Sequence, residues 1–200
     1  MMVEYLLTDP VYFFRFTVII ILSITLHELG HGFAAIHQGD DTPIRTGHMT
    51  PNPVVHMGWL SLIFLCLVGM AWGEMPINPN RFRSRKWGEI LVAAAGPGTN
   101  FAIAVVCIFV IHLIKASSAM SFLSLEFFWL AAYINIGLGF FNLLPIPPLD
   151  GFHIFSELIP DLKPLGQSQI GYALLMILFI TGASGLIWSA AEATVTIWSR

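Results

Sequence analysis

The chain has 200 residues, 56% hydrophobic and only 10% charged, with a mean hydropathy of +0.76 and a formal net charge of −3. Soluble domains average roughly 45–50% apolar and about 25% charged residues, so a water-soluble core is excluded. A single membrane-embedded domain over residues 1–200 is expected in its place. Nucleic acid is not an expected partner because the few basic residues form no stripe. Cys66 and Cys107 each lie inside an apolar run and support neither a disulfide framework nor a metal site.

The first apolar segment runs from Val11 to about Gln38, with Gly39 as its stop. It has no basic leader and passes directly into His27-Glu28-Leu29-Gly30-His31, so a retained spanning helix is expected, not a cleaved signal. Asp40, Asp41 and Pro43 open a polar stretch that reaches His56. Gly58–Gly73 is apolar but short, about 16 residues where a span needs roughly 20. The polar loop after it carries Arg81, Arg83, Arg85 and Lys86, four of the nine Lys and Arg residues, which places it in the cytoplasm. If Gly58–Gly73 crosses, the first helix ends outside; if it dips in and returns, that end lies beside the basic loop. Its length and flanking glycines favour re-entry, which requires protein around its unpaired backbone.

Glu89–Ile114 is expected as a second full span and Phe127–Leu144 as a third, running into Pro145-Ile146-Pro147-Pro148-Leu149-Asp150-Gly151. Phe152–Ile159 reads as a short interfacial helix, and Ile170 to about Ala191 as the last span. Trp59, Trp72, Trp87, Trp129 and Trp188, near segment ends, read as an interfacial belt. The fold class expected is an all-α polytopic membrane protein. It has about four full transmembrane helices plus one short segment, re-entrant in the favoured reading.

His27 and His31 are spaced i and i+4, so on a helix both imidazoles point to one side and can share one Zn²⁺. Glu28, about 100° round the helix from His27, can serve as general base for the attacking water. Phe16–Leu26 is an unbroken apolar run, which puts these ionisable groups well below the membrane surface, where they are costly and usually functional. A third ligand is needed. His37 has the spacing of the third histidine in soluble metzincins, but Ala34 stands where that pattern has its turn glycine. Asp150 is favoured, because with Glu28 it is the acidic residue enclosed by apolar segments. Three prolines in the four positions Pro145–Pro148 deny it a preceding helix. Non-helical backbone at membrane depth is tolerated where it lines a cavity.

HELGH, AAAGPGTN at residues 93–100 and FNLLPIPPLDG at residues 141–151, in this order, resemble the site-2 protease family of intramembrane zinc metalloproteases (peptidase family M50), in its compact form without PDZ or CBS domains. The resemblance implies His27, His31 and Asp150 as ligands of one zinc and Glu28 as catalytic acid/base. It implies a role for Asn142 in substrate handling and a polar core position at Asn100. Phe152 departs from the pattern, standing where the family commonly has a second glycine. Read physically, the two amides are either interhelical hydrogen-bonding groups or donors to substrate backbone and oxyanion. His56 is a weaker candidate for the site and otherwise an interfacial histidine. The expected activity is zinc endopeptidase cleavage in or near transmembrane segments, with membrane protein substrates and the lipid bilayer as partners. The expected location is a bacterial cell membrane, crossed several times. The rival reading is a non-proteolytic protein using the same His/Asp site, either a metal transporter or a substrate-binding pseudoprotease. A transporter would have no need of Glu28 beside the first ligand.

Overall fold

The computed structural model describes residues 1–116, 122–167 and 169–200. Among these the helices are α1 (Met2–Thr8), α2 (Pro10–His37), α3 (Thr42–Arg45), α4 (Pro53–Val68), α5 (Arg85–Ala116), α6 (Phe122–Asn142), α7 (Asp150–Leu158), α8 (Ile170–Ile180) and α9 (Ser184–Trp198). Single 3-10 segments occupy Pro79–Arg81 and Pro160–Gln167, and no strand occurs among the described residues. The protein is an all-α polytopic membrane protein.

α2 carries the HELGH residues. The Asp9 side chain caps it by accepting from the Tyr12 amide at 3.0 Å, and Pro10 supplies the pre-set φ of its first turn. Its 28 residues span about 42 Å at 1.5 Å each, enough to cross a hydrocarbon core of roughly 30 Å. Phe14, Val18, Leu22 and Leu26, four residues apart, are exposed on one face, while Ser23, His27, Glu28 and His31 are buried on the other. In water this polarity would be inverted; in lipid it is the stable arrangement, because polar groups must find partners inside the protein.

α2 packs against α5, α5 against α6, and α6 against α9. The core between them holds Ile19, Ile24, Leu65, Ala104, Ala132, Ile134 and Val195. α2, α5 and Leu125–Asn142 of α6 are each long and apolar enough to cross a membrane. The last expected span is not one straight helix: α8 and α9 meet at 66°, broken at Thr181–Ala183, where Gly182 has φ +71°. The bend falls at Thr181-Gly182-Ala183-Ser184-Gly185, a small and polar interruption of the apolar run. Trp188 is also no belt residue. Its ring lies against Gly137 of α6 and 5.5 Å from the Tyr133 ring, whereas Trp59 and Trp87 are exposed.

The short apolar segment goes in and returns. α4 is kinked at Gly58 (φ 66°) and ends at Gly69 in the left-handed region (φ 89°), after which the non-helical limb 70–77 runs back beside it. Ser61 Oγ donates to the Trp72 carbonyl at 2.7 Å and accepts from the Trp72 amide at 2.9 Å, and the Glu74 amide donates to the His56 carbonyl at 2.9 Å. The excursion closes on itself at the end of α2. Asp40 accepts from the Asn78 amide at 2.6 Å, the Arg83 amide donates to the Gln38 carbonyl at 2.7 Å, and Arg81 pairs with Asp41. The end of α2 and the basic loop therefore lie on one side.

Candidate metal centre and active site

The helical spacing of HELGH does what periodicity requires: His27 Nε2 and His31 Nε2 lie 3.0 Å apart on one face of α2. Asp150 arrives from the far end of the chain. α6 stops at Asn142, the prolines hold the next residues out of a helix, and Asp150 is the first residue of α7. A Cβ on Gly151 would collide with the Leu143 and Leu144 carbonyls, so glycine is what lets α7 start so close to the end of α6. Asp150 Oδ2 lies 3.1 Å from His27 Nε2, and Oδ1 lies 3.3 Å from His31 Nε2. Phe152, where a second glycine was expected, is buried with its ring against Gly166.

The outer atoms of the two rings fix what the inner atoms can do. His27 Nδ1 is 2.7 Å from Asn100 Oδ1, and His31 Nδ1 is 2.7 Å from the Val92 carbonyl. Both partners are acceptors, so each Nδ1 carries the proton and each Nε2 presents a lone pair. Two lone pairs and a carboxylate then converge within 4.8 Å, and the buried Asp150 Oδ2 has no hydrogen-bond partner. Three acceptors facing one another repel unless a cation or a proton lies among them. Two imidazoles and one carboxylate, with a coordination position left open, form the donor set of a catalytic zinc.

α5 is shaped around this cluster. A Cβ on Gly96 would collide with His31 Nε2 and with His27 Cε1, so the first glycine of the GPGTN stretch leaves the space the imidazoles occupy. Asn100, fully buried, accepts from His27 and donates through Nδ2 to Asn135 Oδ1 at 3.0 Å. Asn135 in turn donates to Ser23 Oγ at 2.8 Å and to the Ala131 carbonyl at 2.9 Å. Sequence reading missed Asn135. Its signal was an amide deep in the apolar run of α6, about two helical turns before Asn142.

Glu28 is buried and lines a cavity of about 660 Å³ together with His27, His31, Asp150, Asn100 and Asn142. A Cβ on Gly73 would stand 2.7 Å from Glu28 Oε1, so the returning limb runs against the carboxylate. Ala71–Ile77 supplies one wall of the cavity, and Pro148–Asp150 supplies another. Towards the basic loop the cavity continues past Pro79, Phe82 and Glu89. His56 is outside this lining: it is 1% exposed, its Nε2 donates to the Thr50 carbonyl at 2.7 Å, and its Nδ1 has no partner. His37 sits exposed in the last turn of α2, about 9 Å along the axis from His31, and takes no part in the cluster. Glu28 and Asp150 are not the only enclosed acids. Asp40 and Glu157 are buried too, held by Thr42 and Asn78 and by Lys163 respectively.

Residues 15–124 and 110–181 match the profile of Peptidase family M50. The chain is 33% identical over 184 residues to YwhC of Bacillus subtilis, covering 87% of this chain and 84% of that one. It is 28% identical over 173 residues to Rip2 of Mycobacterium tuberculosis, covering 80% of this chain and 64% of that one. It is 34% identical over 150 residues to MJ0611 of Methanocaldococcus jannaschii, covering 75% of this chain and 73% of that one. The names of all three class them as zinc metalloproteases. No solved structure is a significant match.

Proposed function

The chain belongs to peptidase family M50 and is a zinc metalloprotease, and from that premise we propose that it is an endopeptidase cleaving membrane proteins in or near their transmembrane segments. The observation that carries this reading is where the site sits. His27, Glu28 and His31 occupy the buried face of a helix whose opposite face is a stripe of exposed apolar residues, with about 26 Å of helix before His27 and about 9 Å after His31.

We assign His27, His31 and Asp150 to the metal and Glu28 to proton transfer. When bound, zinc supplies Lewis acidity, polarising the scissile carbonyl and bringing the pKa of water down to about 7. Glu28 takes the proton of the attacking water and returns it to the leaving amine. Asn100 holds His27 in the tautomer that leaves Nε2 free, and the Val92 carbonyl does the same for His31. Water reaches the site along the polar side of the cavity, past Glu74 and Glu89.

A substrate helix hides each peptide carbonyl in an internal hydrogen bond, so it must unwind before its backbone can be attacked. The non-helical limb 71–77 and the Pro148–Asp150 turn both line the cavity, as does Asn142, the last residue of α6. These groups offer polar partners to an unwound segment and thereby offset part of its cost. The location that fits is a bacterial cell membrane with the basic loop in the cytoplasm. The test is capture: Glu28→Gln protein should retain zinc and enrich single-pass membrane proteins that wild type cleaves. Absence of any such enrichment would contradict the reading.

A further inference from the structure

One imidazole of the cavity has no task in the mechanism above. His153 lines the same cavity as Glu28 and the three ligands. It is i+3 from Asp150 on α7, a spacing that brings Cβ atoms to about 5–6 Å on one face of a helix. Its neighbours Gly151, Phe152, Ser156 and Glu157 are buried in protein, whereas His153 is open to the cavity. Among the described residues the ring is spent on no hydrogen bond.

Several donors around it are committed elsewhere, and the Asn142 amide and the Trp72 indole are the other side-chain donors that line the cavity. The Nδ1 protons of His27 and His31 go to Asn100 and Val92, and the Asn100 amide protons point to Asn135. Glu28, Glu74, Glu89 and Asp150, when ionised, can only accept. A peptide carbonyl attacked in this cavity develops negative charge, and a reaction of this class is accelerated most by donors already aimed at that oxygen.

We propose that His153 is a further catalytic residue, donating a hydrogen bond from its imidazole to the carbonyl oxygen of the scissile peptide as charge develops there. No bond to His153 is made or broken: it donates from the α7 side while Glu28 moves the proton from the α2 side. The inference rests on the proteolytic reading above, and its test separates the two. The probe is a single-pass membrane protein trapped by the Glu28→Gln protein, with cleavage measured for purified wild type, His153→Gln and His153→Leu in proteoliposomes. Loss of one such donor lowers kcat by about 10²–10³-fold in enzymes that rely on it, and a loss of that order is expected for His153→Leu. Its KM, its zinc content and its binding of the same protein in the Glu28→Gln background should stay at wild-type values. His153→Gln, which keeps an N–H donor, should recover most of the rate. A His153→Leu kcat within threefold of wild type would overturn the inference, as would equal losses in the Gln and Leu variants or loss of zinc. Absence of cleavage by wild type would overturn the proteolytic reading itself, and this inference with it.

Discussion

His27 Nδ1 lies 2.7 Å from Asn100 Oδ1, a contact that joins two helices through the face of the ring opposite the ligand cluster. A ligating histidine is oriented by the partner of its other nitrogen, and removing such a partner typically costs 10–100-fold in metal affinity. Asn100→Leu should therefore weaken zinc by about that factor while leaving all three ligands in place. Competition with a chelator of known affinity measures this. Unchanged affinity would return Asn100 to the role of interhelical glue.

Gly96 makes a sharper demand. Because a methyl group there would overlap both imidazoles, Gly96→Ala should lose stoichiometric zinc, as His31→Ala should, although it removes no proposed ligand. Gly98 has nothing near its Cβ position, so Gly98→Ala on the same helix is the control and should retain zinc. Elemental analysis of detergent-purified protein decides between them.

Asp40 fastens the re-entrant excursion to the end of α2. Burial pushes its carboxyl up, but the bonds from Thr42 and Asn78, with Arg81 nearby, outweigh this and hold it below the usual carboxylate range. A group depressed in the folded state contributes stability above its unfolded value, about 3.9, and loses it as pH falls towards the folded value. Wild type should thus melt at a higher temperature than Asp40→Ala at pH 7, and the gap should narrow below about pH 4. A gap that stays constant with pH would mean that Asp40 acts by shape alone.

Topology is open to direct labelling. The Arg83–Gln38 and Glu74–His56 backbone bonds bring both limbs of the excursion back to the side they left. Cysteines at Thr46 and Arg83 should accordingly be labelled from the same face of a sealed vesicle. Labelling from opposite faces would show that Gly58–Gly73 crosses.

Much of this architecture was legible from residues alone, and the rest has identifiable physical causes. The i, i+4 histidines, the Pro-broken approach to Asp150 and the short segment between glycines each carry a local signature that survives folding. The partners of Asn135 and the angle of the bend at Gly182 do not, since one depends on which face of α6 meets Asn100 and the other on how α9 packs against Gly137. His56 was singled out for its place at the mouth of the short segment. Its burial behind the Glu74 backbone is a consequence of the hairpin, which no spacing rule encodes.

Glu28 is proposed to drive zinc-dependent hydrolysis inside the membrane. The most direct measurement is cleavage of a single-pass membrane protein by purified protein in proteoliposomes, with the cut site located by mass spectrometry. Wild type should cut within or beside the transmembrane segment, next to Gly or Pro, which weaken a helix by about 1 and 3 kcal/mol relative to Ala. Replacing those residues by Leu should slow turnover about tenfold for each 1.4 kcal/mol restored to the barrier. Glu28→Gln should keep one zinc per chain and lose cleavage. Cleavage that survives Glu28→Gln, or zinc flux across the vesicle with no cleavage at all, would contradict the account.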